Sequence, residues 1–288
     1  METNYLKKAK WIIITFSALL IAAFLILSFT KKNVIKKEKV LLVEYRTVHY
    51  CDEIEAIDSV TVKPFIYDCR ADLSNVPIEF RKKKFIDLVL PAILVVKHEL
   101  MKESIRTSHL MIRLKNHMPV VKKDSAFIAG LFRKYQTESL YEVTKKQQVH
   151  PTSLIIAQAA LESGWGTSRF FQEGNNLFGI KSYNPADVRV NSLVPNNGNA
   201  VFLKKYPTLK ACIEDYFLTI ANSWAYQDFR KKREEASNPY ELIWYLQNYS
   251  ELRYDYVKKV GELMVHNELD QFDDFTISKD FLLELSLN

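Results

Sequence analysis

Ala157-Gln158-Ala159-Ala160-Leu161-Glu162-Ser163-Gly164-Trp165-Gly166-Thr167-Ser168-Arg169-Phe170 is the stretch that decides how this chain is read. Leu154, Ile155, Ala157, Gln158, Leu161 and Glu162 recur at i, i+3, i+4 and i+7, the spacing of one helix face. Glu162 follows Ile155 by seven residues and so shares a face with Ile155, Gln158 and Ala159. Gly164 and Gly166 are helix stop signals. The pattern puts a carboxyl group at the negative end of a helix dipole, on a largely apolar face, beside Trp165. Each condition disfavours ionisation. A carboxylic acid that keeps its proton near neutral pH can give it to a leaving oxygen, the general-acid step in cutting a glycosidic bond. A glutamate in an arbitrary helix is ordinarily just a solvated residue.

The following segment, Gly174-Asn175-Asn176-Leu177-Phe178-Gly179-Ile180-Lys181, weighs against that ordinary reading. Together the two stretches resemble the peptidoglycan-hydrolysing glucosaminidases of glycoside hydrolase family 73. Their catalytic helix ends in E-S-G-W-G-x-S, and a turn of the type N-L-F-G-I-K follows. Phe202-Leu203-Lys204-Lys205-Tyr206 is similar to that family's F-x-x-Y element. Asn248-Tyr249-Ser250-Glu251, with Tyr254, Tyr256, Val257 and Lys258 after it, resembles the late tyrosine segment that closes the cleft. The Tyr-Ser-Glu form and the ending Asn267-Glu268-Leu269-Asp270-Gln271-Phe272-Asp273 look most like the Bax-type branch of bacterial glucosaminidase-domain proteins. The resemblance spans residues 80 to 275.

It implies a mainly α (α+β), lysozyme-like domain with a small β-lobe. It also implies an endo-β-N-acetylglucosaminidase acting on peptidoglycan strands in cell-wall remodelling, with Glu162 as general acid. Relief of positive charge at the anomeric carbon has several candidates. A partner carboxylate stands about 5–5.5 Å from the acid for retention, or about 6.5–9.5 Å for inversion. Asp187 in the lobe loop and Glu251 are the carboxylates to weigh; both residue types also serve simply in turns and local pairs. Alternatively the substrate's N-acetyl group attacks the anomeric carbon itself, with Tyr249 stabilising the transition state. Candidate substrate contacts are Gln158, Trp165, Asn176, Phe178 and Tyr206. For Asn176 a turn-stabilising role competes, and for Phe178 a place in the core. Rival readings are a muramidase or lytic transglycosylase on the same fold, and a tethered glycan-binding protein without turnover.

Outside this region the clearest signal is Trp11 to Phe29, 19 residues without a charge, long enough to span a bilayer. Leu27-Ser28-Phe29-Thr30 is a poor cleavage site, which favours an uncleaved anchor over a signal peptide. Lys7, Lys8 and Lys10 precede the run, whereas Lys31, Lys32, Lys36, Lys37 and Lys39 follow it. The positive-inside rule thus points the domain inward, whereas a peptidoglycan substrate requires it outside. The net charge of +6 includes these lysines and is that of an ordinary basic surface, with no nucleic-acid motif. Of three cysteines, Cys51 and Cys69 frame a short segment that a disulfide can close if it lies outside the cytoplasm, while Cys212 falls in a helical run. The six histidines lack metal-ligand spacing, so neither metal nor cofactor is expected.

The expected organisation is a short flank at 1–10, an anchor at 11–30, a stalk or small β segment at 31–80, the glucosaminidase domain at 81–275 and a tail at 276–288. Val40 to Tyr50 and Ser59 to Tyr67 alternate weakly, as short strands or a stalk do. Ile78 to Arg113 reads as helical, with Pro91 expected to kink or break it. Asp124 or Ser125 is the expected cap of a helix to Tyr135, and Thr137 of one to Lys146. Pro151-Thr152-Ser153 opens the catalytic helix. Tyr183 to Val201 reads as a loop or hairpin, and Leu209–Ser223, Pro239–Gln247 and Tyr254–His266 as helices.

Overall fold

Asp87 to Val96 are ten consecutive buried residues, a run that no surface helix shows. They form the middle of α1 (Ile78–Lys115), a 38-residue helix around which the domain is assembled. The structure is a computed structural model that describes residues 36–69, 71–191 and 201–287. The expected anchor at 11–29 lies outside the described residues. Among those described, no helix is long and apolar enough to cross a membrane.

Pro91 does not break α1. An interior proline costs about 3 kcal/mol, but each fully buried aliphatic side chain contributes roughly 1.5–3 kcal/mol. Leu88, Val89, Leu90, Ile93, Val95 and Val96 all surround the proline at 1% exposure or less. Asp87, one turn before it, is held by the Ile57 amide at 3.0 Å and by Lys83 at 3.1 Å. Tertiary burial outweighs the local cost.

Next come α2 (Lys122–Tyr135), α3 (Leu140–Lys146), α4 (Thr152–Ser163) and α5 (Arg169–Gly174). Two expected caps are displaced. Val121 occupies the N-cap of α2, and Asp124 turns to Arg113 at 2.7 Å. Ser139, not Thr137, caps α3 by accepting from the Glu142 amide, while Thr137 supports Ser139. The C-terminal helices are α6 (Leu209–Asn222), α7 (Gln227–Glu235), α8 (Pro239–Leu242) and α9 (Tyr254–His266). The 3-10 segments Trp224–Tyr226 and Ile243–Tyr249 lie between them.

The strands form small pairs. β2 (Glu44–Val48) runs parallel to β4 (Phe65–Cys69), with Glu44 opposite Phe65. β3 (Thr61–Val62) pairs with β7 (Thr276–Ile277). β5 (Arg189–Asn191) and β6 (Phe202–Lys204) form an antiparallel pair where the loop or hairpin was expected. Separately, β1 (Lys36–Leu41) and β8 (Leu282–Leu287) form their own antiparallel ribbon.

The compact unit is Leu42–Phe281, wider than the expected 81–275. Within residues 42–69, β4 packs on α1, and Ile66 and Tyr67 have 0% exposure. The expected tail likewise supplies two strands. Cys51 is a free thiol whose Sγ lies 3.7 Å from the Asp72 carbonyl, and Cys69's side chain is outside the described residues.

α4 packs against α1, α9 and the 3-10 segment Leu269–Asp274, and every residue from Thr152 to Ala160 is buried. Its N-terminus is fastened by Asp273, which accepts from the Ser153 amide and hydroxyl, both at 2.8 Å. A carboxylate there satisfies an orphan helix donor and meets the positive end of the dipole. Lys97 donates to the Thr152 hydroxyl at 2.7 Å, and burial pushes its ammonium down to about 8.

Candidate active site

Each residue of Glu162-Ser163-Gly164-Trp165-Gly166-Thr167-Ser168 has a structural task. Ser163 Oγ donates to the Ala159 carbonyl at 2.6 Å and accepts from the Gly166 amide at 3.0 Å. Gly164, Trp165 and Gly166 all have positive φ, at 59°, 57° and 80°. This left-handed hook ends α4 one residue after Glu162 and turns the chain away. Gly166 is sterically required: a Cβ there would stand 2.7 Å from Leu73 Cδ1. Ser168 caps α5 by accepting from the Phe171 amide.

The second motif closes over the acid. Asn176 Nδ2 donates to the carbonyls of Ile180 and Lys204 at 3.0 and 2.8 Å, and Oδ1 accepts from the Ile180 amide at 3.0 Å. This turn brings Gly179, at φ 64°, so near the acid that a Cβ would stand 3.4 Å from Glu162 Oε2. The positive φ is what favours glycine at this position.

The opposite wall is aromatic. Tyr256, on α9, hydrogen-bonds Glu162, and its ring stacks on Tyr249 with centroids 5.5 Å apart. Tyr249 donates to the Phe178 carbonyl at 3.1 Å, and Tyr226 stands 6.1 Å from it. Burial raises the Glu162 carboxyl to about 7, opposed by the hydrogen bond from Tyr256. Burial is the leading cause of this shift. Trp165 instead sets its ring edge-on against Phe85 at 5.6 Å, with Lys82 Nζ 5.5 Å from its centroid.

Several expected substrate contacts have other work. Gln158 has 0% exposure, and its amide lies between the hydroxyls of Tyr256 and Tyr216 at 2.9 and 2.7 Å. It is linked to the site through Tyr256. Asn176 is a turn residue at 2% exposure, and Phe178 is core, stacked on Tyr216 at 4.2 Å. Tyr206 donates to Asp215 at 2.6 Å, which ties the end of the lobe to α6. Asp187 accepts from Ser182 Oγ at 2.9 Å in the turn before β5, and Glu251 is exposed on the turn before α9. Burial and Tyr256 shift Glu162's acidity; neither carboxylate contributes.

The sequence reading placed Tyr256 in the segment that closes the cleft but not among the candidate site residues, and gave no role to Tyr216, Tyr226 or His150. The signal for Tyr256 was present: it begins the stripe Tyr256, Val260, Met264, spaced by four and buried along α9.

Residues 137–269 match the glucosaminidase family, described as mannosyl-glycoprotein endo-beta-N-acetylglucosaminidase. The matched stretch is similar to a glucosaminidase domain. It contains Glu162, the turn over it and the tyrosine wall. Over 162 residues the chain is 26% identical to Protein bax of Escherichia coli (strain K12), covering 54% of this chain and 56% of that protein. Over 171 residues it is 29% identical to Exo-glucosaminidase LytG of Bacillus subtilis (strain 168), covering 57% of this chain and 58% of that one. The chain thus spans a little over half the length of these two relatives. Among solved structures, the catalytic domain of the autolysin Auto from Listeria monocytogenes is 28% identical, with a TM-score of 0.37, over 54% of this chain and 90% of that one.

Proposed function

We propose that the glucosaminidase domain is a lysozyme-like peptidoglycan hydrolase that cuts the β-1,4 bond after N-acetylglucosamine, with Glu162 as general acid. The observation that carries this reading is the Glu162 carboxyl, raised to about 7 by burial, with Gly179 folded over it and Tyr256 bonded to it. Glu162 gives its proton to the glycosidic oxygen as the bond to the anomeric carbon breaks. The N-acetyl oxygen of the same sugar bonds to that carbon and takes up its developing charge. Water then opens the cyclic intermediate, returning a proton to Glu162. Substrate assistance is preferred to a partner carboxylate because Asp187 is already engaged with Ser182 and Glu251 faces solvent.

Peptidoglycan lies outside the cytoplasmic membrane, so we place the domain there, with residues 11–29 as its tether and cell-wall remodelling as its process. Protease accessibility of the domain in intact and lysed cells tests that placement.

The catalytic test is digestion of uncrosslinked peptidoglycan by the detergent-solubilised full chain, wild type beside Glu162→Gln. The full chain is needed because truncation at residue 80 would remove β2 and β4. Borohydride reduction and mass spectrometry then identify the new chain ends. Reduced N-acetylglucosamine ends made only by wild type are expected. Reduced muramic acid ends would make it a muramidase, and anhydromuramic ends a lytic transglycosylase. Glycan bound without new ends would make it a binding protein.

A further inference from the structure

Arg233 is 8% exposed, its charge lies in the interior, and among the described residues no carboxylate pairs with it. Its Nη2 donates to the Lys145 carbonyl at 3.0 Å, and its Nη1 lies 3.3 Å from His150 Nδ1. An unpaired buried cation is costly, which raises the question of what it accomplishes.

The answer follows from which atoms can donate. Arginine has donors only, so His150 Nδ1 accepts, and the neutral imidazole carries its proton on Nε2. Burial and the charges of Arg233 and Lys97 hold His150 neutral, well below the usual histidine range. Nε2 then donates to Tyr216 at 2.9 Å. The Tyr216 hydroxyl is left to donate to Gln158 Oε1 at 2.7 Å. That fixes the Gln158 amide, so Nε2 donates to the Tyr256 oxygen at 2.9 Å. Tyr256, accepting from Gln158, has its own hydrogen left for Glu162, whose charged form it favours. Four bonds joining α7, the loop before α4, α6, α4 and α9 share one direction, and the only member that cannot be reversed is the arginine.

We propose that Arg233 and His150 are positioning residues: through Tyr216 and Gln158 they hold the Tyr256 hydroxyl as a donor to Glu162. The proposal rests on Glu162 being the general acid. Without the donor-only cation, His150 can carry its proton on Nδ1 and accept from Tyr216. Gln158 can then turn its oxygen to Tyr256, which donates to the amide and not to the acid. Glu162 is faced by Tyr256 from α9 and by Tyr249 and Tyr226 from the two 3-10 segments. His150 is faced by Arg233 from α7, Tyr216 from α6 and Lys97 from α1.

The test uses the full chain with carboxyl-labelled glutamate, following Glu162 by carbon NMR across pH, with its resonance assigned from Glu162→Gln. Arg233→Met removes the donor and leaves an apolar group of similar length. Tyr216→Phe breaks the chain at its middle and keeps the ring on Phe178. In both, loss of a hydrogen bond to the charged form moves the Glu162 midpoint up by about one pH unit. The basic limb of kcat/KM moves with it. Arg233→Lys keeps a donor-only cation and restores the wild-type midpoint. A midpoint unmoved in folded Tyr216→Phe would overturn the proposal, as would Arg233→Lys behaving like Arg233→Met. The NMR midpoint is read without turnover, so it stands or falls separately from the reading of Glu162 as the acid.

Discussion

The two ends of α4 each meet a carboxyl group, and the fold treats them oppositely. At the N-terminus Asp273 receives two hydrogen bonds from Ser153 and lies by the positive end of the helix dipole. At the C-terminus Glu162 sits by the negative end, is half-buried, and has Tyr256 as a phenol neighbour that favours its charged form. One carboxylate is fastened and the other is pushed toward its protonated form. The helix dipole favours the charged form at the first and disfavours it at the second, and the number of donors and the access of water act in the same sense.

The largest effect in this comparison should come from Glu162→Gln, which keeps the shape and removes the proton. Loss of general-acid catalysis is expected to cost about 10²–10⁴-fold in kcat, read by release of reducing ends. The same variant should be more stable than wild type at high pH. Glu162 has its folded value raised from 4.5 to about 7. Its contribution is therefore intact below 4.5 and lost as pH rises through 7. At pH 8 the variant is expected to gain at most about 3 kcal/mol, and at pH 4 almost nothing. Urea unfolding at the two pH values checks both; equal stability at pH 8 would mean the carboxyl is not strained by burial.

Next in size is Gly166→Ala, which attacks the hook at the acid end. The residue combines a φ of 80° with a Cβ position 2.7 Å from Leu73 Cδ1. A cost of about 2–4 kcal/mol is expected, measured by thermal unfolding. At the opposite end, Asp273→Ala removes a helix cap and should cost about 1–2 kcal/mol. It should leave the pH dependence of kcat/KM in place. A displaced basic limb in that variant would show that the two ends are not separate in function.

The sequence revealed the acid end far better than the fastened one. Glu162, the glycine stops and the N-L-F-G turn were legible because the hook and turn are local, each residue acting within a few positions of its own. Asn267 to Asp273 was visible only as a branch mark, because its work is done on Ser153, 120 residues away. The strands at 42–69 were ambiguous for a similar reason: their burial comes from α1. Pro91 misled because propensity predicts a break and only tertiary packing overrules it. Gln158, Asn176 and Tyr206 were expected at the substrate, since polar side chains near an acid invite that reading. Their partners are the hydroxyls of Tyr216 and Tyr256, backbone carbonyls and Asp215, none of which spacing reveals.

The smallest expected effect concerns the lobe, and it decides how charge at the anomeric carbon is met. Asp187 already accepts from Ser182 in its own turn, and Glu251 is exposed. If the substrate's N-acetyl oxygen does this work, Asp187→Asn and Glu251→Gln should each lower kcat by less than about tenfold, below about 1.4 kcal/mol of barrier. A strand whose glucosamine residues are de-N-acetylated should resist the enzyme, because the attacking oxygen is gone. A loss of a hundredfold or more in one variant, with the deacetylated strand still cut, would replace substrate assistance with a carboxylate. The stereochemistry of the first product would then place that group: retention puts it about 5–5.5 Å from the acid, and inversion about 6.5–9.5 Å.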